Sequence, residues 1–342
     1  MDKKKVLVFG AAGFIGTYLT DLLLSEGYRV VASDIDLAGR EHYKKLNVEY
    51  VSVDLTNGEE FEKIATVKPD VVINLAALQP ANFNASKYKP RDYININVVG
   101  TLNILEYCRT NKVEKFIYAC SHRNTSGMWV HGKPIKESDG RALEFGGEYA
   151  MFSISESTAQ DCIEHYRVTF GVNGIIFRLP PVYGFGPHLE IYKNGKQIKT
   201  GFQTFIESAM ACKPLEMWGD GKAGRDIIYV KDVVQAFLKA IESDKASGLY
   251  NITSGVLLTL KNEIDSIARI FWGKDGNPQV VERPEKAFKM DSFVYDNSKA
   301  NRDFGWSPQY TFEQWLTDYK KEMTSQKFGY LIEKRRQMFK ET

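Results

Sequence analysis

The chain has 342 residues, 45 Lys and Arg against 43 Asp and Glu, 43% apolar and 26% charged side chains, as expected for an ordinary soluble globular chain of one large or two moderate domains. A net charge of +2 gives no reason to expect nucleic acid or an anionic membrane as the main partner, and no apolar run nears the roughly 18 residues of a membrane span. Cys108, Cys120, Cys162 and Cys212 are widely spaced without a Cys-x-x-Cys pair, which argues against a disulfide framework or a zinc site and for reduced thiols in a cytoplasmic protein.

Lys3-Lys4-Lys5 followed by Val6 to Ile15 imitates a secretory signal, but of three glycines Gly10 and Gly13 interrupt the apolar stretch and Gly16 ends it, and Asp21 and Glu26 follow, so it reads as structure. Val6 to Phe9 is a candidate strand. Ile15, Leu19, Leu22 and Leu23 then form one helical face that Gly27 ends. Further strands are expected at Arg29 to Ser33, Glu49 to Val53, Val71 to Leu75, Lys115 to Ala119 and Gly174 to Arg178. Helices are expected near Glu59 to Thr66, Pro90 to Arg109 and Tyr149 to Thr169. This alternation is the sequence form of β-α-β units, and six strands make a doubly wound parallel sheet of about 180 residues. After Arg178 comes the stretch Leu179-Pro180-Pro181-Val182-Tyr183-Gly184-Phe185-Gly186-Pro187, which cannot be regular helix or central strand. A helix at Gln203 to Ala211, a turn at Gly219-Asp220-Gly221, a strand at Asp226 to Val230 and a helix at Lys231 to Ile241 follow. They predict a smaller lobe facing the carboxyl edge of the sheet, where open α/β sheets bind ligands. The Glu333-Lys334-Arg335-Arg336 cluster reads as the solvated face of a last helix.

Gly10-Ala11-Ala12-Gly13-Phe14-Ile15-Gly16 follows the first strand and opens a helix, the context a dinucleotide-binding loop requires. Gly10 allows the sharp turn, Gly13 lets backbone N–H groups approach a pyrophosphate, and Gly16 lets helix and strand pack closely. The second strand ends in Ser33-Asp34, 18 positions after Gly16, where a carboxylate accepts hydrogen bonds from an adenosine ribose and disfavours a 2'-phosphate. The pattern predicts NAD, with Arg40 as the one neighbour suited to the phosphate of NADP.

These residues resemble the extended short-chain dehydrogenase/reductase family, the NAD-dependent nucleotide-sugar epimerases and dehydratases, over residues 4–316. Asp54-Leu55 is similar to the family's adenine-contacting pair. Val72-Ile73-Asn74-Leu75-Ala76-Ala77 is similar to its Val-Ile-His-Leu-Ala-Ala segment, and Asn97 to Glu106 to its central helix. Pro181-Val182-Tyr183-Gly184, Trp218 to Asp232, Tyr250-Asn251-Ile252, Asp296 to Lys299 and Gly305 to Pro308 extend the resemblance. It implies a Rossmann-type α/β fold over residues 1–178, with a returning segment near 226–254, and a mixed α/β substrate lobe from 179–225 and 255–342. The cofactor contacts it implies are Gly10, Gly13, Phe14, Ile15, Gly16, Asp34, Asp54, Leu55, Leu75, Ala76, Ala77, Asn97 and Pro180. It also implies a cytoplasmic homodimer formed through a helix pair, and a nucleotide-sugar substrate whose diphosphate is clamped by Arg225 and Arg283.

In the family a tyrosinate and a Ser or Thr hydroxyl contact a sugar hydroxyl, and the lysine of Tyr-x-x-x-Lys makes the tyrosine a usable base. A phenol of pKa about 10 needs such a cation at neutral pH. Ser121 matches the hydroxyl. Counting back from Arg178, however, the Tyr-x-x-Ser-Lys positions read Phe152-Ser153-Ile154-Ser155-Glu156: no phenol, and an anion in place of the cation. Tyr149 is nearly one helical turn earlier and so reaches the same side of the helix as a substitute acid/base. His122-Arg123 is a second source of a proton carrier or a cation, and a buried Glu156 a third. Tyr192 to Lys196 and Tyr295 to Lys299 match the motif outside this helix and are expected by chance. Pro181 replaces an asparagine that in the family donates to the diphosphate. Three functions fit: an epimerase or dehydratase with a non-standard acid/base set, a catalytically silent NAD-binding protein, and an oxidoreductase whose substrate is not a nucleotide sugar.

Overall fold

A computed structural model describes residues 3–80, 89–129, 133–186, 191–193, 196–273, 277–286 and 291–340. Its centre is a parallel sheet built from β1 (Lys5–Phe9), β2 (Arg29–Ser33), β3 (Glu49–Val51), β4 (Val71–Asn74), β5 (Lys115–Ser121), β6 (Gly174–Leu179) and β7 (Gly248–Asn251). The order across the sheet is β7-β6-β5-β4-β1-β2-β3. Chain direction therefore reverses its march between β1 and β4, and this switch point opens a crevice at the carboxyl edge. Six of the strands match the sequence reading. The seventh, β7, is a four-residue return from the far lobe, too short to carry a period of its own.

Strand alternation explains the two cores. Val6 and Val8 face one side, with Leu19 and Leu23 of α1 (Phe14–Ser25) and Val233 and Phe237 of a later helix. Leu7 and Phe9 face the other, with Ile104, Leu105 and Ile163. Burying β-branched and aromatic side chains on both faces is what an all-parallel sheet demands. Between β2 and β3 lies α2 (Leu37–Lys45), unmarked by apolar period but started by Asp36, whose side chain accepts the Ala38 N–H at 2.8 Å. The segment after β3 is a 3-10 turn, Gly58–Ile64, rather than an α-helix.

The long helix α3 runs over 90–110 but is not uniform. Pro90–Tyr93 is α-helical, Ile94–Val99 is a π segment, and Gly100–Thr110 is α-helical again. Beside it lies α4 (Ala150–Phe170). In the second lobe α5 (Gly201–Met210) precedes α6 (Val230–Glu242), which returns to pack on α1, and α7 (Leu260–Phe271) follows. The buried Lys115 of β5 caps the carboxyl end of α6, its ammonium donating to the carbonyls of Ala240, Ile241 and Ser243 at 3.3, 2.6 and 2.7 Å. The lobe is framed by two-stranded pairings, Leu215–Trp218 with Val280–Arg283 and Gly224–Arg225 with Leu258–Thr259.

The strand expected at Asp226 to Val230 is only Ile228–Tyr229. Asp226 is instead turned inward, accepting from the Ser254 N–H and hydroxyl (3.1 and 2.6 Å) and from the N–H groups of Gly255 (3.2 Å) and Tyr295 (3.1 Å). At the end of the chain α8 (Ser298–Phe304), α9 (Phe312–Thr324) and α10 (Gly329–Lys340) follow. All three come back to the central sheet and its helices, α8 by packing on β7. Glu322 of α9 accepts the Tyr18 hydroxyl at 2.5 Å and pairs with Lys231 at 2.9 Å, while α10 packs on α2, with Lys334 3.5 Å from Glu41. Among the described residues no helix is long and apolar enough to cross a membrane.

Candidate active site

The glycine loop sits where β1 meets α1. Gly10 has φ +75°, and a Cβ there would lie 2.6 Å from the Ala76 nitrogen, so only glycine lets the loop run against the end of β4. A Cβ on Gly16 would lie 2.3 Å from the Gly10 carbonyl oxygen, whereas one on Gly13 would meet only that oxygen, at 3.1 Å. Gly13 therefore keeps an open approach at the head of α1, where no side chain caps the N–H groups ahead of Phe14 and Ile15. Asp34 is tied to this loop: its carboxylate accepts the Ala12 N–H at 3.0 Å and the Asp36 N–H at 3.1 Å.

The next strand ends complete the wall. Leu75, Ala76 and Ala77 are half-buried after β4, and Asn74 beneath them accepts the Ala76 N–H at 3.0 Å. Asp54 is exposed, with one oxygen turned back to the Thr56 N–H and hydroxyl at 2.9 and 2.8 Å, while Leu55 is buried under Gly100. Asn97 faces inward. Its carbonyl accepts the Leu78 N–H at 2.7 Å and its amide donates to the Leu78 carbonyl at 3.2 Å and the Ser155 hydroxyl at 2.9 Å. It holds the wall in place by its side chain. Pro180 is buried at the end of β6.

At the carboxyl end of β5, Ser121 caps the 3-10 turn His122–Met128, its Oγ accepting the Arg123 N–H at 3.2 Å. Tyr149 is the residue before α4, half-buried, and the Arg123 guanidinium stands over its ring at 3.6 Å. Phe152, one turn on, is buried against Leu78 and Tyr93. Glu156 does not face the cleft. It is 1% exposed, accepting the Tyr118 hydroxyl at 2.9 Å and the Ser121 N–H at 3.1 Å, and burial pushes its carboxyl up to about 7. His122 is likewise withdrawn: its Nδ1 meets the Leu179 carbonyl at 3.1 Å, its ring stacks on Trp129, and burial with neighbouring Arg123 pushes it down to about 3. A neutral, enclosed imidazole does not carry protons to a substrate.

Of the two motif matches outside α4, Tyr295 is locked by Thr125 (2.7 Å) and Trp129 (3.1 Å), while Lys299 donates to the Leu249 carbonyl at 2.6 Å. Tyr192 to Lys196 falls on the hairpin Ile191–Lys193 and Lys196–Ile198, its side chains outside the described residues, as is Pro187. The two arginines of the second lobe are already engaged. Arg225 donates to the Tyr183 hydroxyl at 2.9 Å, and Tyr183 and then buried Glu263 favour its charge. Arg283 lies 3.5 Å from Glu216, which is also 2.5 Å from Lys286 and is held down at about 2, chiefly by that lysine. The inward turn of Glu156 and the Arg123–Tyr149 stack were not legible beforehand, because both depend on contacts between β5 and α4.

Comparison with known proteins places these features in context. A sequence model described as the NAD dependent epimerase/dehydratase family matches residues 6–253. The chain is 28% identical to a UDP-glucose 4-epimerase of Mycolicibacterium smegmatis over 315 residues, covering 89% of this chain and 94% of that protein. It is 27% identical to a UDP-glucuronate 4-epimerase of Thermodesulfobacterium geofontis over 325 residues, covering 91% and 93%. The crystal structure of a UDP-glucose 4-epimerase of Thermotoga maritima with UDP-glucose superposes with a TM-score of 0.76 at 26% identity, covering 94% of this chain and 99% of that one.

Proposed function

The chain belongs to the NAD dependent epimerase/dehydratase family, and from that premise we propose that it converts a nucleotide-linked sugar, with Ser121 and Tyr149 at the reacting hydroxyl. NAD fits the residues present: the open approach at Gly13, the N–H groups at the head of α1 and the carboxylate of Asp34 supply what pyrophosphate and ribose require. Asp54, Leu55, Leu75, Ala76, Ala77 and Pro180 complete the pocket, with Asn97 holding its wall. When bound, NAD supplies the reversible hydride acceptor of the reaction.

The chain's own groups do the rest. Ser121 is half-buried and its Oγ accepts the Arg123 N–H with the hydroxyl proton left to donate, so it orients a sugar oxygen. Tyr149, joined to the same turn through Arg123, supplies the phenol as general acid/base. Arg225 and Arg283 take the diphosphate, Arg283 after displacing Glu216. The single observation that carries this reading is the convergence of Ser121, Tyr149 and Arg123 at the carboxyl end of β5. A homodimer through α3 and α4 and a cytoplasmic location belong to the same proposal.

The withdrawal of Phe152 and Glu156 from any acid/base role favours one competing reading, a protein that binds NAD and sugar nucleotide without turnover. Purified protein is titrated with NAD and then incubated with UDP-, GDP- and dTDP-sugars while products are resolved. Turnover of one of them is expected, with kcat falling about 100-fold or more in Tyr149→Phe. Full activity in Tyr149→Phe would remove that residue from the mechanism, and binding without turnover would establish the silent reading.

A further inference from the structure

Arg123 is a charge beside Ser121 and Tyr149 to which the proposed function gives no ligand. It stands two residues after Ser121, and its guanidinium lies over the Tyr149 ring at 3.6 Å and over Trp129 at 5.6 Å. Stacking uses the faces of the planar group and spends none of its five N–H donors. Among the described residues its only hydrogen bond is the backbone one to Ser121, and it forms no ion pair. Burial disfavours its charge, while Asp291 and Glu144 favour it without reaching ion-pair distance. Arg225 and Arg283 differ in this respect, Arg225 already donating to the Tyr183 hydroxyl at 2.9 Å and Arg283 lying 3.5 Å from the Glu216 carboxylate.

A half-buried cation with its donor edge unspent is costly unless an anion completes it. The aromatic stack fixes the plane of the fork, which suits two parallel N–H···O bonds to a carboxylate better than the single bonds a hydroxyl offers. We propose that Arg123 receives a carboxylate carried by the sugar, so that the substrate is a nucleotide-linked sugar acid. This rests on the nucleotide-sugar reading of the cleft. A neutral hexose would leave the guanidinium half-buried with no carboxylate at ion-pair distance among the described residues. Arg123 thereby selects substrate, while Ser121 and Tyr149 act on it.

The test uses the NAD-loaded full chain. Calorimetry first measures UDP, GDP and dTDP alone, then the glucose and glucuronate conjugates of the nucleotide that binds. The glucuronate conjugate is expected to bind at least tenfold more tightly than the glucose one. Arg123→Gln should erase that preference, and Arg123→Lys, which keeps the charge but loses the fork, should retain only part of it. Unchanged NAD affinity in both variants guards against misfolding. Equal affinity of the wild type for both conjugates overturns the proposal. So does an equal loss for both in Arg123→Gln, which assigns the arginine to Tyr149 alone. If no nucleotide and no conjugate binds the wild type, the underlying nucleotide-sugar reading fails instead.

Discussion

Glu156 shows how one side chain changes meaning with its surroundings. Where the sequence reading expects the family's cation, the Glu156 carboxyl is turned into the protein between the Tyr118 hydroxyl and the Ser121 N–H. Burial raises it from 4.5 to about 7. A carboxyl raised on folding binds its proton more tightly in the native state, so the chain loses stability as pH climbs from the unfolded value through the folded one. Glu156→Gln keeps an acceptor for Ser121 and a donor for Tyr118 without the charge. Relative to wild type it should gain about 2–3 kcal/mol between pH 5 and pH 8, read from urea denaturation at the two pH values. A constant difference would show that the group does not titrate in this range. Glu156→Lys removes the acceptor and buries a cation, so that change alone should cost about 3–5 kcal/mol.

The decisive element is α3, where a π segment at Ile94–Val99 interrupts an otherwise regular helix. Such insertions redirect side chains and are frequent at functional sites. Here Asn97 bonds both backbone groups of Leu78 and the hydroxyl of Ser155 on α4. It thus couples the wall after β4 to the helix that carries Phe152 and Glu156. Asn97→Ala would leave the Leu78 N–H unpaired. A loss of about 2–3 kcal/mol in stability and a weaker NAD affinity are expected, measured by denaturation and cofactor titration. Wild-type values in both would show that the wall stands without it. The helix itself was legible as the stretch Pro90 to Arg109, but its π segment was not, since nothing in residue spacing announces an insertion that neighbours stabilise.

Over the whole molecule, the chain returns to the sheet and its helices repeatedly, through α6 on α1, through β7, and through α8, α9 and α10. The later part of the chain is thereby stitched to the sheet. The outer face of α4 is left with exposed Val168 and Phe170 near its end, 70% and 49% accessible, and this is the face the proposed homodimer would cover. Sedimentation at micromolar concentration should give about twice the 38.9 kDa of one chain. Val168→Asp with Phe170→Asp should shift it toward the single-chain mass. A wild type that sediments as one chain removes the homodimer from the proposal.

The sheet, its glycine loop and the Asp34 position were readable because local rules govern them: alternation sets strand faces, a helical period sets a helix face, and glycine is demanded where backbone meets backbone. That Phe152 and Glu156 depart from the family motif is an expectation from counting positions along the chain and belongs to the proposed function. Where those side chains point was a different matter. Whether Glu156 turns to the cleft or to the Ser121 N–H, whether His122 is a proton carrier or an enclosed neutral ring, and which aromatic faces hold Arg123 are settled by contacts across β5, α4 and the lobe. Sequence determined the frame and the names of the groups on it. Tertiary packing decided which of them are charged, which are spent and which remain open to a ligand, because burial and hydrogen-bond partners come from residues distant in the chain.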